Sequence, residues 1–279
     1  MAVRFSASGS LELAADVEGR WDGKPVVLLH GGGQTRHAWG GTTRALGDAG
    51  FLAITLDLRG HGESDWAPDG DYTIGSYVRD LRAVLGQLDR PAALVGASLG
   101  GLASLLAAGE GSGGSCTALV LVDVTPRMDP DGREKIGGFM RSRPDGFGSL
   151  EEAADAVAAF LPHRPRPADV SGLAKNLRLE ADGRYHWHWD PAFMDGNRLG
   201  EDVERPERFE RAAAAVTAPM LLVRGGISEI VNEDGVRAFR RVAPAAEYVD
   251  VPGASHMVAG DRNDVFTSAV VEFLSRRLG

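Results

Sequence analysis

The stretch GASLGG, residues 96–101, carries one reactive side chain, the hydroxyl of Ser98, between glycines at 96 and 100. A serine in that setting is either a nucleophile or a small residue that fits a tight turn. The pattern alone does not decide. With 37 glycines in 279 residues, Gly-x-Ser-x-Gly arises by chance about 0.3 times. A serine hydroxyl is a weak nucleophile near neutral pH and reacts only beside a base, which in turn needs an acceptor to orient it. Residues of the types required recur at HGGG (30–33), DLRGHGES (57–64), RGGISE (224–229) and PGASH (252–256), and Asp123 follows a further apolar run.

Those stretches acquire meaning from the elements that precede them. Residues 4–17 alternate in polarity around Ser8-Gly9-Ser10, the pattern of an antiparallel hairpin. A continuous apolar run of buried-strand length follows at 25–29, and strand-like runs recur at 52–56, 93–95, 118–122, 220–223 and 246–251, separated in several places by helical spacing, as at 74–88 and 99–108. Helical spacing also closes the chain, at 265–278. Alternating strands and helices predict an α/β fold with a mostly parallel central sheet flanked by helices. In such a sheet ligands bind beyond the carboxyl ends of the strands, and every chemically loaded turn follows directly on an apolar run.

The rhythm breaks at 126–215, a proline-punctuated segment without a buried-type strand. The expected organisation is a core of residues 1–125 and 216–279 with a cap, or lid, inserted at 126–215. Within the insert, Ser149-x-x-Glu152 predicts a helix start running to Leu161, and 176–180 and 184–189 flank a turn at 181–183. Period-2 spacing from Tyr185 to Asp190 places three aromatics on one face and His186, His188 and Asp190 on the other. The aromatics suit a cap core or a substrate wall. The His-x-His-x-Asp face has no supporting ligand cluster, and no metal is expected. A short glycine–serine loop is read at 111–114.

HGGG, DLRGHGES, GASLGG and GASHM, in that order, resemble the α/β-hydrolase family over essentially the whole chain, specifically its capped serine hydrolases and esterase-like members. The resemblance implies that Ser98 is the nucleophile on a sharp strand-to-helix turn and His256 the base. It implies Glu229, after the penultimate strand, as the acid, with Asp123 as the alternative. The oxyanion donors would be the backbone N–H groups of Gly32 and Leu99. His30 and His61 would order the oxyanion loop and the turn beside it. Gly33, His37, Trp187 and Met257 are candidate substrate contacts. His37 equally suits an exposed loop.

Bulk properties exclude several classes. The formal net charge of −9 and the absence of a run of Lys and Arg argue against nucleic acid. Cys116 is the sole cysteine, so no internal disulfide or thiolate cluster forms. No apolar run approaches the ~20 residues of a membrane span, and a cytoplasmic protein is expected. The leading expectation is a hydrolase of a small ester, thioester or lactone, without cofactor, its partner a small-molecule substrate. Carbon–carbon bond hydrolysis and cofactor-free perhydrolysis or haloperoxidase chemistry use the same triad. A non-catalytic small-molecule binder of the same fold is the alternative from another class.

Overall fold

In the computed structural model, which describes residues 1–111, 116–194, 205–258 and 263–279, the apolar runs are strands of one eight-stranded sheet. Strands β1 (Ala2–Ser6) and β2 (Glu12–Gly19) form the expected antiparallel hairpin at one edge. Next to it lie β4 (Leu52–Leu56), β3 (Pro25–Leu29), β5 (Ala92–Ala97), β6 (Cys116–Val122), β9 (Met220–Gly225) and β10 (Glu247–Val251), in the spatial order 1-2-4-3-5-6-9-10. From β4 to β10 every pairing is parallel. Covered on both faces, β3 and β4 need no polar alternation, and every residue of each is buried.

The two faces of the sheet make two apolar layers. Val26 and Leu28 point into one, which is closed by Trp39 and by α9 (Asn263–Leu278) through Phe266, Val270 and Phe273. Val27 and Leu29 point into the other, beneath α2 (Ile74–Gly86), α3 (Ser98–Gly109) and α8 (Glu233–Val242). Each such aliphatic side chain, fully withdrawn from water, contributes about 1.5–3 kcal/mol before conformational entropy is counted. These layers hold the strand ends, and hence the site, in register.

The segment at 126–215 contains α4 (Pro130–Arg141), α5 (Leu150–Phe160), a separate two-stranded hairpin of β7 (Leu177–Leu179) and β8 (Tyr185–Trp187), the short α6 (Pro191–Met194) and α7 (Pro206–Ala215). Ser149 caps α5 by accepting from the N–H of Glu152, as expected. The last of these helices, counted with the insert in the sequence reading, lies against α3. There Gly109 passes so close to Ala212 that a Cβ would meet its carbonyl oxygen at 2.3 Å. From residue 112 on, the glycine–serine loop lies outside the described residues. Among the described residues no helix is long and apolar enough to cross a membrane.

Candidate active site

Ser98 stands at the junction of β5 and α3 with φ of 46°, in the left-handed region that a residue with a Cβ rarely occupies. The turn holds this conformation because its neighbours lack side chains. A Cβ on Gly100 would lie 2.4 Å from the carbonyl oxygen of Leu29, and one on Gly96 equally close to that of Gly100. Such strained non-glycine positions cluster at functional sites. Ser98 lines a cavity of about 700 Å³ that is bounded also by His256, Gly32 and Leu99.

At the end of β6, Asp123 is fully buried and also in the left-handed region, with φ of 48°. The His256 Nδ1–H donates to its Oδ2 at 2.7 Å. The hydroxyl of Ser228 donates to the same oxygen at 2.5 Å, and the N–H of Gly225 to Oδ1 at 2.8 Å. A carboxylate held by three donors is fixed in orientation. With Nδ1 carrying the proton, the Nε2 of His256 is left as an acceptor.

Glu229 does not reach the imidazole. Its carboxylate lies 3.7 Å from the ammonium of Lys135 and accepts a long bond, 3.4 Å, from the backbone N–H of His256. The reason is the turn after β9. The Ser228 N–H donates to the Gly225 carbonyl and the Ile227 N–H to that of Ala254. This tight return brings Ser228 against Asp123 and turns Glu229 towards α4. The carboxylate that bonds the imidazole is therefore that of Asp123, after the preceding strand, and the turn after the penultimate strand contributes a serine hydroxyl that donates to it. The chain order serine, carboxylate, histidine is kept.

The loop after β3 has one uncommitted donor among its glycines. Gly31 N–H donates to Gln34 Oε1 at 2.9 Å and Gly33 N–H to His61 Nε2 at 3.1 Å, whereas Gly32 N–H has no acceptor among the described residues. The N–H of Leu99 belongs to the first turn of α3, where a helix leaves its donors without intrahelical partners. Gly32 and Leu99 both line the cavity that Ser98 lines.

Three buried histidines hold this loop. His30 Nδ1 donates to the Gly31 carbonyl while its Nε2 accepts from Leu58 N–H. His61 Nδ1 donates to the Arg59 carbonyl. His188, from the insert, accepts from Gly62 N–H at 2.8 Å and donates to the Gly33 carbonyl at 3.3 Å. Each must be neutral to accept a backbone N–H, and burial favours that form. It pushes His30 well below the usual histidine range, His61 down to about 4 and, with the neighbouring imidazoles, His188 down to about 3. Asp57 completes the scaffold by accepting from the N–H groups of Arg36 and Glu63 and from the Arg36 guanidinium.

The candidate substrate contacts divide. Met257 lines the cavity. Gly33 sits behind Met140, which a Cβ would approach to 2.8 Å. His37 is on the surface, 3.9 Å from Asp16. Trp187 stacks on Trp189 at 4.9 Å and meets Phe147 edge-on, so it builds the insert's own core. Of the polar face opposite these aromatics, His186 pairs with Asp182, while Asp190 accepts from the Tyr72 hydroxyl and its N–H donates to the Gly60 carbonyl. His188 and Asp190 therefore dock the insert on the core, a role that the alternation alone did not reveal.

The comparisons agree with this architecture. A family model described as alpha/beta hydrolase fold matches residues 24–262. The chain is 32% identical to an esterase of Mycobacterium tuberculosis, over 87% of this chain and 80% of that protein. It is 27% identical to a mouse sn-1-specific diacylglycerol lipase, over 90% and 80%. The crystal structure of an E-2-(acetamidomethylene)succinate hydrolase superposes with a TM-score of 0.87 at 24% identity, covering 98% of each chain, a likeness of fold. The chain belongs to the alpha/beta hydrolase fold family and is a hydrolase of that fold.

Proposed function

We propose that the protein is a serine hydrolase that cleaves an ester bond through an acyl-enzyme on Ser98, with His256 as base and Asp123 as its orienting carboxylate. The observation that carries this reading is the 2.7 Å bond from His256 Nδ1–H to the buried Asp123, at the wall of the cavity that Ser98 also lines. The bond sets the tautomer in which Nε2 can take the serine proton, and the carboxylate stabilises the imidazolium that results. The serine oxygen attacks the carbonyl carbon, and the negative charge on the carbonyl oxygen falls to the N–H groups of Gly32 and Leu99. Collapse expels the alcohol, which takes its proton from His256. Water, deprotonated by the same nitrogen, then attacks the acyl group and returns Ser98 to its starting form.

An ester is favoured over the other bonds that this machinery opens because the esterase and the lipase similar to this chain are named for ester cleavage. Thioesters and lactones present the same carbonyl and leaving-group chemistry. The test is hydrolysis of p-nitrophenyl esters of graded chain length by wild type and Ser98→Ala. Turnover in the wild type should fall by about 10³-fold or more in the variant. Equal rates in the two proteins would remove Ser98 from the mechanism.

A further inference from the structure

Helix α4 turns one side to the cavity. Pro130, Arg133, Glu134, Gly137 and Arg141 recur three and four residues apart and all line it. Its first turn is pinned to the catalytic loop. The Asp129 N–H donates to the Ile230 carbonyl at 2.8 Å, and Gly132 lies so close that a Cβ would be 2.0 Å from the carbonyl oxygen of Glu229. Arg133, one residue on, is thus held beside the loop that carries Ser228 and Glu229.

Among the described residues, the charges that α4 brings to this wall are paired except one. Glu134 takes Arg141 at 2.7 Å, and Glu229 takes Lys135 at 3.7 Å. The guanidinium of Arg133 has no hydrogen bond or ion pair among the described residues, and its Nε is sealed from solvent without an acceptor. Buried donors are seldom left unmet, and each such failure is costly. Around it the cavity is largely apolar, with Ile136, Met140, Phe160 and Leu161 on its wall. A carboxylate matches the planar fork of an arginine and gains strength away from water. A doubly charged phosphate would meet, among the described residues lining the cavity, a single free guanidinium and the nearby carboxylates of Glu134 and Glu229.

We propose that Arg133 is a specificity residue that binds a carboxylate of the substrate, so that the preferred substrates are half-esters of dicarboxylic acids. The inference rests on the serine hydrolase reading for the position of the cleaved bond. It calls for mono-p-nitrophenyl esters of the dicarboxylic acids from glutaric to suberic, each compared with the neutral p-nitrophenyl ester of equal acyl length. At least one half-ester should exceed its neutral partner in kcat/KM by about 10- to 100-fold, the worth of a charge-assisted hydrogen bond. In Arg133→Met that ratio should fall to near one, mainly through KM, and Arg133→Lys should keep part of it. A wild type without the preference, or an Arg133→Met protein that retains it, would overturn the proposal.

Binding without turnover separates the two readings. Calorimetric titration of Ser98→Ala with the preferred half-ester should give a Kd about tenfold or more below that of the neutral ester, and the difference should vanish when Arg133→Met is added. Equal affinities would overturn the carboxylate proposal. If no ester were turned over by the wild type, the hydrolase reading would fail while the titration still reported on Arg133. Ser98-dependent turnover without half-ester preference would sink the carboxylate proposal alone.

Discussion

Asp123 is fully buried and accepts from His256, Ser228 and Gly225 at once. Asp123→Asn keeps the shape, removes the charge that stabilises the imidazolium and replaces one acceptor oxygen by a donor. Steady-state ester hydrolysis should show a loss in kcat of about 10²–10⁴, against less than about tenfold for Glu229→Gln, whose carboxylate pairs, among the described residues, with Lys135 and a backbone N–H. The reverse order would restore the acid after β9. Ser228→Ala removes one donor to the carboxylate and leaves the N–H groups of Ile230 and Val231 without the hydroxyl they share. The expected cost is about 1.5–3 kcal/mol, divided between kcat and thermal stability. Unchanged values of both would deny Ser228 its bracing role. Ser98 and His256 were legible in the sequence because each follows an apolar run in a glycine-bearing turn. Choosing between Asp123 and Glu229 was not, since two carboxylates followed two adjacent strands and only the turn geometry at 225–228 separates them.

At the scale of elements, the docking of the insert on the core rests on few polar bonds, and His188 makes two of them. His188→Ala would leave the Gly62 N–H buried without its acceptor, lowering stability by about 1–3 kcal/mol, measurable as a fall in Tm. The same histidine links stability to pH. Unfolded, His61 and His188 titrate near 6.5, whereas folding lowers them to about 4 and about 3. As pH falls the unfolded chain therefore binds protons first. The stabilisation is complete above about 6.5 and declines below it, down to about 4 for His61 and about 3 for His188, by up to about 1.4 kcal/mol per pH unit for each histidine. Thermal unfolding at pH 7, 6 and 5 should show this decline, and His188→Gln, which can still accept from Gly62, should flatten it. An identical slope in the variant would show that His188 is not buried neutral. Strands and helices of the core were readable because a sheet covered on both faces demands near-continuous apolar runs, and the helices packed on it keep the 3.6-residue period. The insert was less readable. Its hairpin strands are three residues each, and the side chains that dock it, His188 and Asp190, are committed to partners more than a hundred positions away.

For the whole molecule, the sequence pattern sufficed to place every reactive turn at one edge of one sheet, because a parallel strand delivers its last residue to that edge whatever the helix that follows. What the pattern did not contain is the shape of the space above it. Trp187, which the sequence left as either cap core or substrate wall, packs inside the insert, and Arg133, unremarkable in the sequence, lines the cavity. The division has a physical basis: strand ends are set by local hydrophobic runs, whereas cavity walls depend on which side of each helix of the insert meets the core. The account as a whole turns on covalent chemistry at one oxygen. Its most direct test is intact-protein and peptide mass spectrometry after acid quench of the enzyme during turnover of a p-nitrophenyl ester. An adduct of the acyl mass should appear on the peptide containing Ser98, build up in Asp123→Asn if deacylation is slowed more than acylation, and be absent from Ser98→Ala. Turnover by wild type with the acyl group on another residue, or undiminished turnover by Ser98→Ala, would contradict it.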